Sequence, residues 1–105
     1  MPFKTKKRKL QEECWGLDYH IVKWLNEHLK VYLKDKNDFV DMTFYKFSYH
    51  GGVHTELELT RELLYTTEML LSYYENNFEI ELDDLIKLKN EMYDILKILH
   101  FTLGW

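Results

Sequence analysis

Residues 17 to 32 read Leu17-Asp18-Tyr19-His20-Ile21-Val22-Lys23-Trp24-Leu25-Asn26-Glu27-His28-Leu29-Lys30-Val31-Tyr32. At about 100° per residue, Leu17, Ile21, Trp24, Leu25, Leu29, Val31 and Tyr32 fall on one broad face. Tyr19, Lys23, Asn26, Glu27, Lys30 and Lys34 fall on the other. The pattern predicts an amphipathic helix over residues 14–36, its lysines gathered towards the C-terminal end, where the helix dipole favours them. Two polar groups interrupt the apolar face. His28 lies in its middle and is expected to be a satisfied core histidine, because a buried polar group without a partner is costly. Asp18 lies at its edge and is expected to accept a hydrogen bond from another helix or from a backbone group at a helix end.

Two further helical patterns follow. Leu63, Leu64, Thr67, Leu70, Leu71 and Tyr74 form a stripe over residues 60–76. Thr60 is the expected cap, with Thr55 and Glu58 as an alternative capping box. Leu85, Leu88, Met92, Ile95, Leu96, Leu99 and Leu103 repeat at helical spacing from about Leu82 onward. Asp83 and Asp84 stand in that helix's first turn, where negative charge is favoured. Beyond Ile95 the pattern is apolar nearly all round, with Ile98, Phe101 and Trp105 off the main stripe. Such an end predicts deep burial or a subunit contact, and hence a homo-oligomer.

Between the first two helices the periodicity changes. Tyr45, Phe47 and Tyr49 alternate with Lys46 and Ser48, and Val53, Thr55 and Leu57 with His54, Glu56 and Glu58. This is strand spacing, and it predicts a β-hairpin turning at His50-Gly51-Gly52, or else an aromatic-rich loop docked on the helices. The expected fold is mainly α: a three-helix bundle with an aromatic-rich hairpin or loop between helices 1 and 2. Residues 1–13 read as a basic arm and 14–105 as one helical domain.

Composition narrows the function. The chain has 105 residues, one cysteine, one proline (Pro2) and no alanine, and its 17 aromatic rings make up 16% of it. One domain of this size cannot easily hide so many rings, so some are expected to line a pocket or an interface. The lone Cys14 leaves no disulfide framework, which makes a reducing, cytoplasmic setting the default. The basic N-terminal residues are followed by no apolar stretch, so no secretory signal is expected, and no run is long enough for a membrane span. The net charge of −4 is uneven. Residues 1–10 carry Lys4, Lys6, Lys7, Arg8 and Lys9 and no acid, leaving −9 on the remainder. An acidic body argues against wrapping duplex nucleic acid, although the arm alone can reach phosphate.

Catalytic and metal signatures are weak. His50 and His54 supply two of the three or four ligands that zinc needs, and nothing nearby completes the set. Glu79, Glu81, Asp83 and Asp84 are explained by helix capping, and Cys14 has no third group beside His20. No enzyme, no metal and no cofactor are expected. Rings with cations suit a planar base carrying phosphates. The candidate ligand-binding residues are Lys7, Arg8, Trp15, Tyr19, Tyr45, His50, His54 and Arg61. Arg61 is the one arginine outside the arm, and a surface pair with Glu58 or Glu62 explains it equally.

Three stretches carry a resemblance. Trp15-Gly16-Leu17-Asp18, continuing to Trp24-Leu25 and Leu29-Lys30, resembles a Trp-x-Leu-Asp…Trp-Leu helix motif in a family of short uncharacterised tailed-bacteriophage proteins. Leu59-Thr60-Arg61-Glu62-Leu63, continuing through Met69-Leu70-Leu71 to Tyr74-Glu75, resembles that family's Leu-Thr-x-Glu-Trp helix start, with Leu63 in place of the Trp. Leu103-Gly104-Trp105 is a looser match to its Leu-Trp ending, and the aromatic segment 39–49 departs from the pattern. The resemblance implies a helical phage or prophage accessory protein, in the cytoplasm of an infected bacterial host. By analogy of class, such a protein blocks host defence. The first expected function is non-enzymatic sequestration of a nucleotide-type immune signal. The alternatives are an acidic inhibitor or adaptor of a host protein, and nucleic-acid binding through the basic arm.

Overall fold

The computed structural model describes residues 16–76, 79–100 and 102–103. The order is α1 (Leu17–Phe39), β1 (Lys46–Tyr49), β2 (Gly52–Thr55), α2 (Glu56–Asn76) and α3 (Leu82–Leu99). The chain is therefore mainly helical, with a two-stranded antiparallel hairpin between its first two helices. Of the residues singled out above, Lys7, Arg8, Cys14, Trp15, Phe101 and Trp105 lie outside the described residues, as does the arm.

The helices run up, down and up around one core. Val22 and Leu29 of α1 meet Leu59, Leu63 and Leu70 of α2 and Met92, Ile95 and Leu99 of α3. The expected stripes of α2 and α3 point inward: Leu64, Leu71, Tyr74, Leu85, Leu88, Leu96 and Leu103 are half-buried against this cluster. Ile98 joins them, so the apolar end of α3 is turned partly onto the chain's own core. Thr60, Thr66 and Thr67 are buried. Their hydroxyls donate to the carbonyls of Glu56, Glu62 and Leu64 at 2.7, 2.9 and 2.7 Å, which removes the cost of burying them.

Helix α1 departs from its expected phase. Leu17, Ile21, Trp24 and Val31 are exposed, at 51, 43, 60 and 61%. Leu29 is buried as expected, but its buried companions are Val22, Asn26 and Lys36. The reason is pairing across the bundle. Asn26 Nδ2 donates to Thr67 Oγ1 at 3.0 Å, so an amide placed on the polar face by its type is satisfied inside. His28 is correspondingly not a core residue. Its ring is exposed, stacks on Trp24 at 4.1 Å and donates from Nδ1 to the Trp24 carbonyl at 2.7 Å.

A polar cluster ties each end of the bundle. At the α1 C-terminal end, Lys36 Nζ donates to Glu56 at 2.8 Å, to the Tyr32 hydroxyl at 2.9 Å and to the Thr102 carbonyl. The Tyr32 hydroxyl donates to the same carbonyl at 2.6 Å. Burial alone would lower the Lys36 pKa, but the bonds to Glu56 and Tyr32 outweigh it and raise it. At the other end, Asp18 accepts from the Tyr74 hydroxyl at 2.6 Å and from Lys89 Nζ at 3.2 Å, as expected of an edge carboxylate facing another helix.

The hairpin pairs Lys46 with Thr55, Phe47 with His54, Ser48 with Val53 and Tyr49 with Gly52. His50 and Gly51, with φ of 50° and 76°, make the two-residue turn, whose twist needs positive φ at both positions. Phe47 and Tyr49 pack against the core, while Tyr45 and Val53 are exposed. On the second strand Val53 faces out, and Glu56, the first residue of α2, is buried on Lys36. Helix α2 starts at Glu56, not Thr60, and uses the alternative box. Thr55 N donates to Glu58 Oε1, and Glu58 N to Thr55 Oγ1, both at 3.2 Å. The amides of Glu56 and Leu57 donate to the Tyr45 and Met42 carbonyls at 3.1 and 2.9 Å, which docks the 42–45 loop on the helix start.

Candidate cation-binding cleft

A cavity of about 1190 Å³ opens where α2 ends and α3 begins. Tyr73 and Tyr74, from the last turns of α2, form one wall. Glu79, Ile80 and Glu81 form the floor, and Asp84, Lys87, Leu88 and Glu91 the facing wall. Asp84, Lys87, Leu88 and Glu91 follow helical i, i+3, i+4, i+7 spacing, so α3 turns this set towards the tyrosines as one face. The described walls carry four carboxylates against one lysine.

The tyrosines are held from behind. Tyr73 meets Tyr74 edge to face at 5.3 Å, and Tyr19 of α1 meets Tyr74 in the same way at 5.9 Å. Burial raises the Tyr74 pKa, and its bond to Asp18 adds to this. That same bond, followed by the one from Lys89, holds Asp18 below the usual carboxylate range. The Lys89 pKa is raised, first by its bond to Tyr74. Lys89 Nζ also stands 5.7 Å from the centre of the Tyr74 ring. The arrangement can hold a cation, with carboxylates to accept its hydrogen bonds and tyrosine faces to attract its charge.

The expected ligand-binding residues do not assemble in one place. Tyr19 lies beside this cleft. His50 and His54 are on the hairpin and Tyr45 just precedes it, at the opposite end of α2; the 18 steps from Glu56 to Tyr74 rise about 27 Å. His50 stacks on Tyr49 at 4.0 Å, and His54 meets the same ring at 6.0 Å. His54 Nδ1 also stands 3.6 Å from Glu58. Tyr45 meets the Phe44 ring at 5.2 Å. Arg61 is exposed in the second turn of α2 and makes no ion pair among the described residues, with Glu58, Glu62 or any other.

Sequence reasoning missed Tyr73 and assigned Tyr74 to the core and the acids to capping. The signal was present in the double tyrosine followed by an acidic run. Among the described residues, no group of three or more His, Cys, Asp or Glu is placed to hold a metal ion. No helix there is long and apolar enough to cross a membrane. The chain matches no known protein family, no curated protein and no solved structure.

Proposed function

We propose that this protein is a non-enzymatic binding module that captures a Lys/Arg-rich segment of a partner protein. The observation that carries this reading is the tyrosine-walled cleft with four carboxylates and a single lysine. Guanidinium and ammonium groups pair with carboxylates and are drawn to aromatic faces, whereas phosphate groups are repelled by the same walls. In the setting that the Trp15–Lys30 resemblance implies, this is the acidic inhibitor or adaptor of a host protein. Calorimetric titration with an arginine-rich peptide, against an acidic peptide of equal length, tests it. The arginine-rich peptide is expected to bind, with affinity that falls as salt rises. Glu81→Gln with Asp84→Asn is expected to weaken it at least tenfold. No heat with the basic peptide, or unchanged affinity in the double variant, sinks the reading.

Sequestration of a nucleotide-type signal is the second reading. The observation favouring it is the Tyr49–His50–His54 ring cluster, which offers stacking faces and imidazole donors away from the acidic cleft. Titration with cyclic dinucleotides, cyclic trinucleotides and cyclic ADP-ribose isomers tests it. Neither heat nor thermal shift with any of them removes it.

A further inference from the structure

The exposed apolar residues of α1 are not scattered. Leu17, Ile21, Trp24 and Val31 are separated by four, three and seven residues, and His28 fills the remaining position of the same 4-3-4-3 series. This is a heptad seam, the spacing with which one helix packs against another. It runs beside, not on, the face that meets the core, which is built from Val22, Asn26 and Leu29. Leu17 to Val31 covers about 21 Å of helix axis. Trp24 and His28 are already stacked on each other, and His28 Nδ1 is satisfied by the Trp24 carbonyl. The midpoint of the seam is therefore a preformed flat plate with one ring nitrogen left to pair.

We propose that this seam is the contact between two copies of this chain. Charge is the reason for a second copy. The body outside the first ten residues carries −9, so most faces of two copies repel each other. Helix α2 carries five glutamates against Arg61. At its surface helix α1 carries Lys23, Lys30 and Lys34 against Asp18, Glu27, Asp35 and Asp38, its Lys36 being buried on Glu56. Two acidic bodies therefore repel each other less along α1 than along α2. Area agrees. The four exposed side chains present about 400 Å² of apolar surface, typical of the largest functional patch on a small protein. Two such seams with their flanks bury about 1,000 Å², the lower bound for a specific interface. The contact is isologous, each copy supplying the same residues, and its modest area makes it a reversible dimer.

Multi-angle light scattering and sedimentation equilibrium of the full chain across the micromolar range test this. The wild type is expected to move from 12.9 kDa towards twice that mass as concentration rises. Ile21→Glu with Trp24→Glu is expected to raise the dissociation constant at least about 100-fold. Trp24→Ala alone, a milder change, is expected to raise it about tenfold or more. Ile86→Glu with Tyr93→Glu, at the exposed apolar positions of α3, is expected to leave it unchanged. Far-UV circular dichroism confirms that each variant keeps its helices. A wild type that stays monomeric overturns the proposal, whatever else the seam then binds. So does a dimer that survives Trp24→Ala and the double α1 variant, or one that α3 substitution abolishes.

Discussion

Lys36→Met tests the central electrostatic argument about this fold. Lys36 and Glu56 are 4% and 2% exposed, with Nζ 2.8 Å from the carboxylate. The methionine keeps the length and apolar stem of lysine but removes the charge. The Thr102 carbonyl still accepts from the Tyr32 hydroxyl, so Glu56 is the group left without its partner. An unpaired buried charge costs about 3–5 kcal/mol. For a domain of this size a 3 kcal/mol loss lowers Tm by roughly 10–20 °C. Glu56→Leu is expected to cost a comparable amount by stranding the ammonium. The double change, Lys36→Met with Glu56→Leu, removes both desolvation penalties and is expected to cost far less than the sum. Urea denaturation of the four proteins at pH 7 closes the cycle, with an expected coupling of about 2 kcal/mol or more. Additive single costs would refute the reasoning.

Three smaller perturbations have defined outcomes. The Asp18 pKa is lowered by its bonds to Tyr74 and Lys89, so its contribution is present above the unfolded value and lost as pH falls through the folded one. Asp18→Asn should therefore flatten the acid limb of the Tm-versus-pH curve below about pH 4 and cost no more than about 1 kcal/mol at pH 7, since the pair is half exposed. Thr55→Ala removes half of the capping box and is expected to lower stability by about 1 kcal/mol in urea titrations. Gly51→Ala meets open space but keeps φ at 76°, so its expected cost of about 1 kcal/mol is backbone strain alone. Hydrogen exchange should then show faster opening in the hairpin before α3.

Much of the fold was legible in the chain. The α3 stripe from Leu85 to Leu99 has a single apolar phase, and burial follows it. The α2 stripe around Leu63, Thr67 and Leu70 is legible for the same reason. The hairpin showed itself through alternation and the glycines beside its His50-Gly51 turn, because only a few dihedral combinations join two twisted strands. Helix α1 was ambiguous because it carries two apolar stripes. Leu17, Ile21, Trp24 and Val31 are as hydrophobic as Val22, Leu25 and Leu29, and Asn26 and Lys36 weigh against the stripe that is buried. The cleft was hidden for a related reason: Glu79, Glu81 and Asp84 suit a helix start whether or not tyrosines face them.

The amino-acid sequence by itself determined three helical periods, a turn and an acidic body with a basic arm. These depend on neighbours within a few residues, through dihedral preference, side-chain spacing and charge. Tertiary structure alone decided which face of α1 is inside, which way β2 points and where the tyrosines and carboxylates converge. The reason is that burial of a polar group depends on a partner that may be far along the chain. Asn26 is inside because Thr67, 41 residues away, receives its hydrogen bond, and Lys36 because Glu56, 20 residues away, receives its charge. Once those two bonds set the phase of α1, its Leu17–Val31 seam was left facing outward.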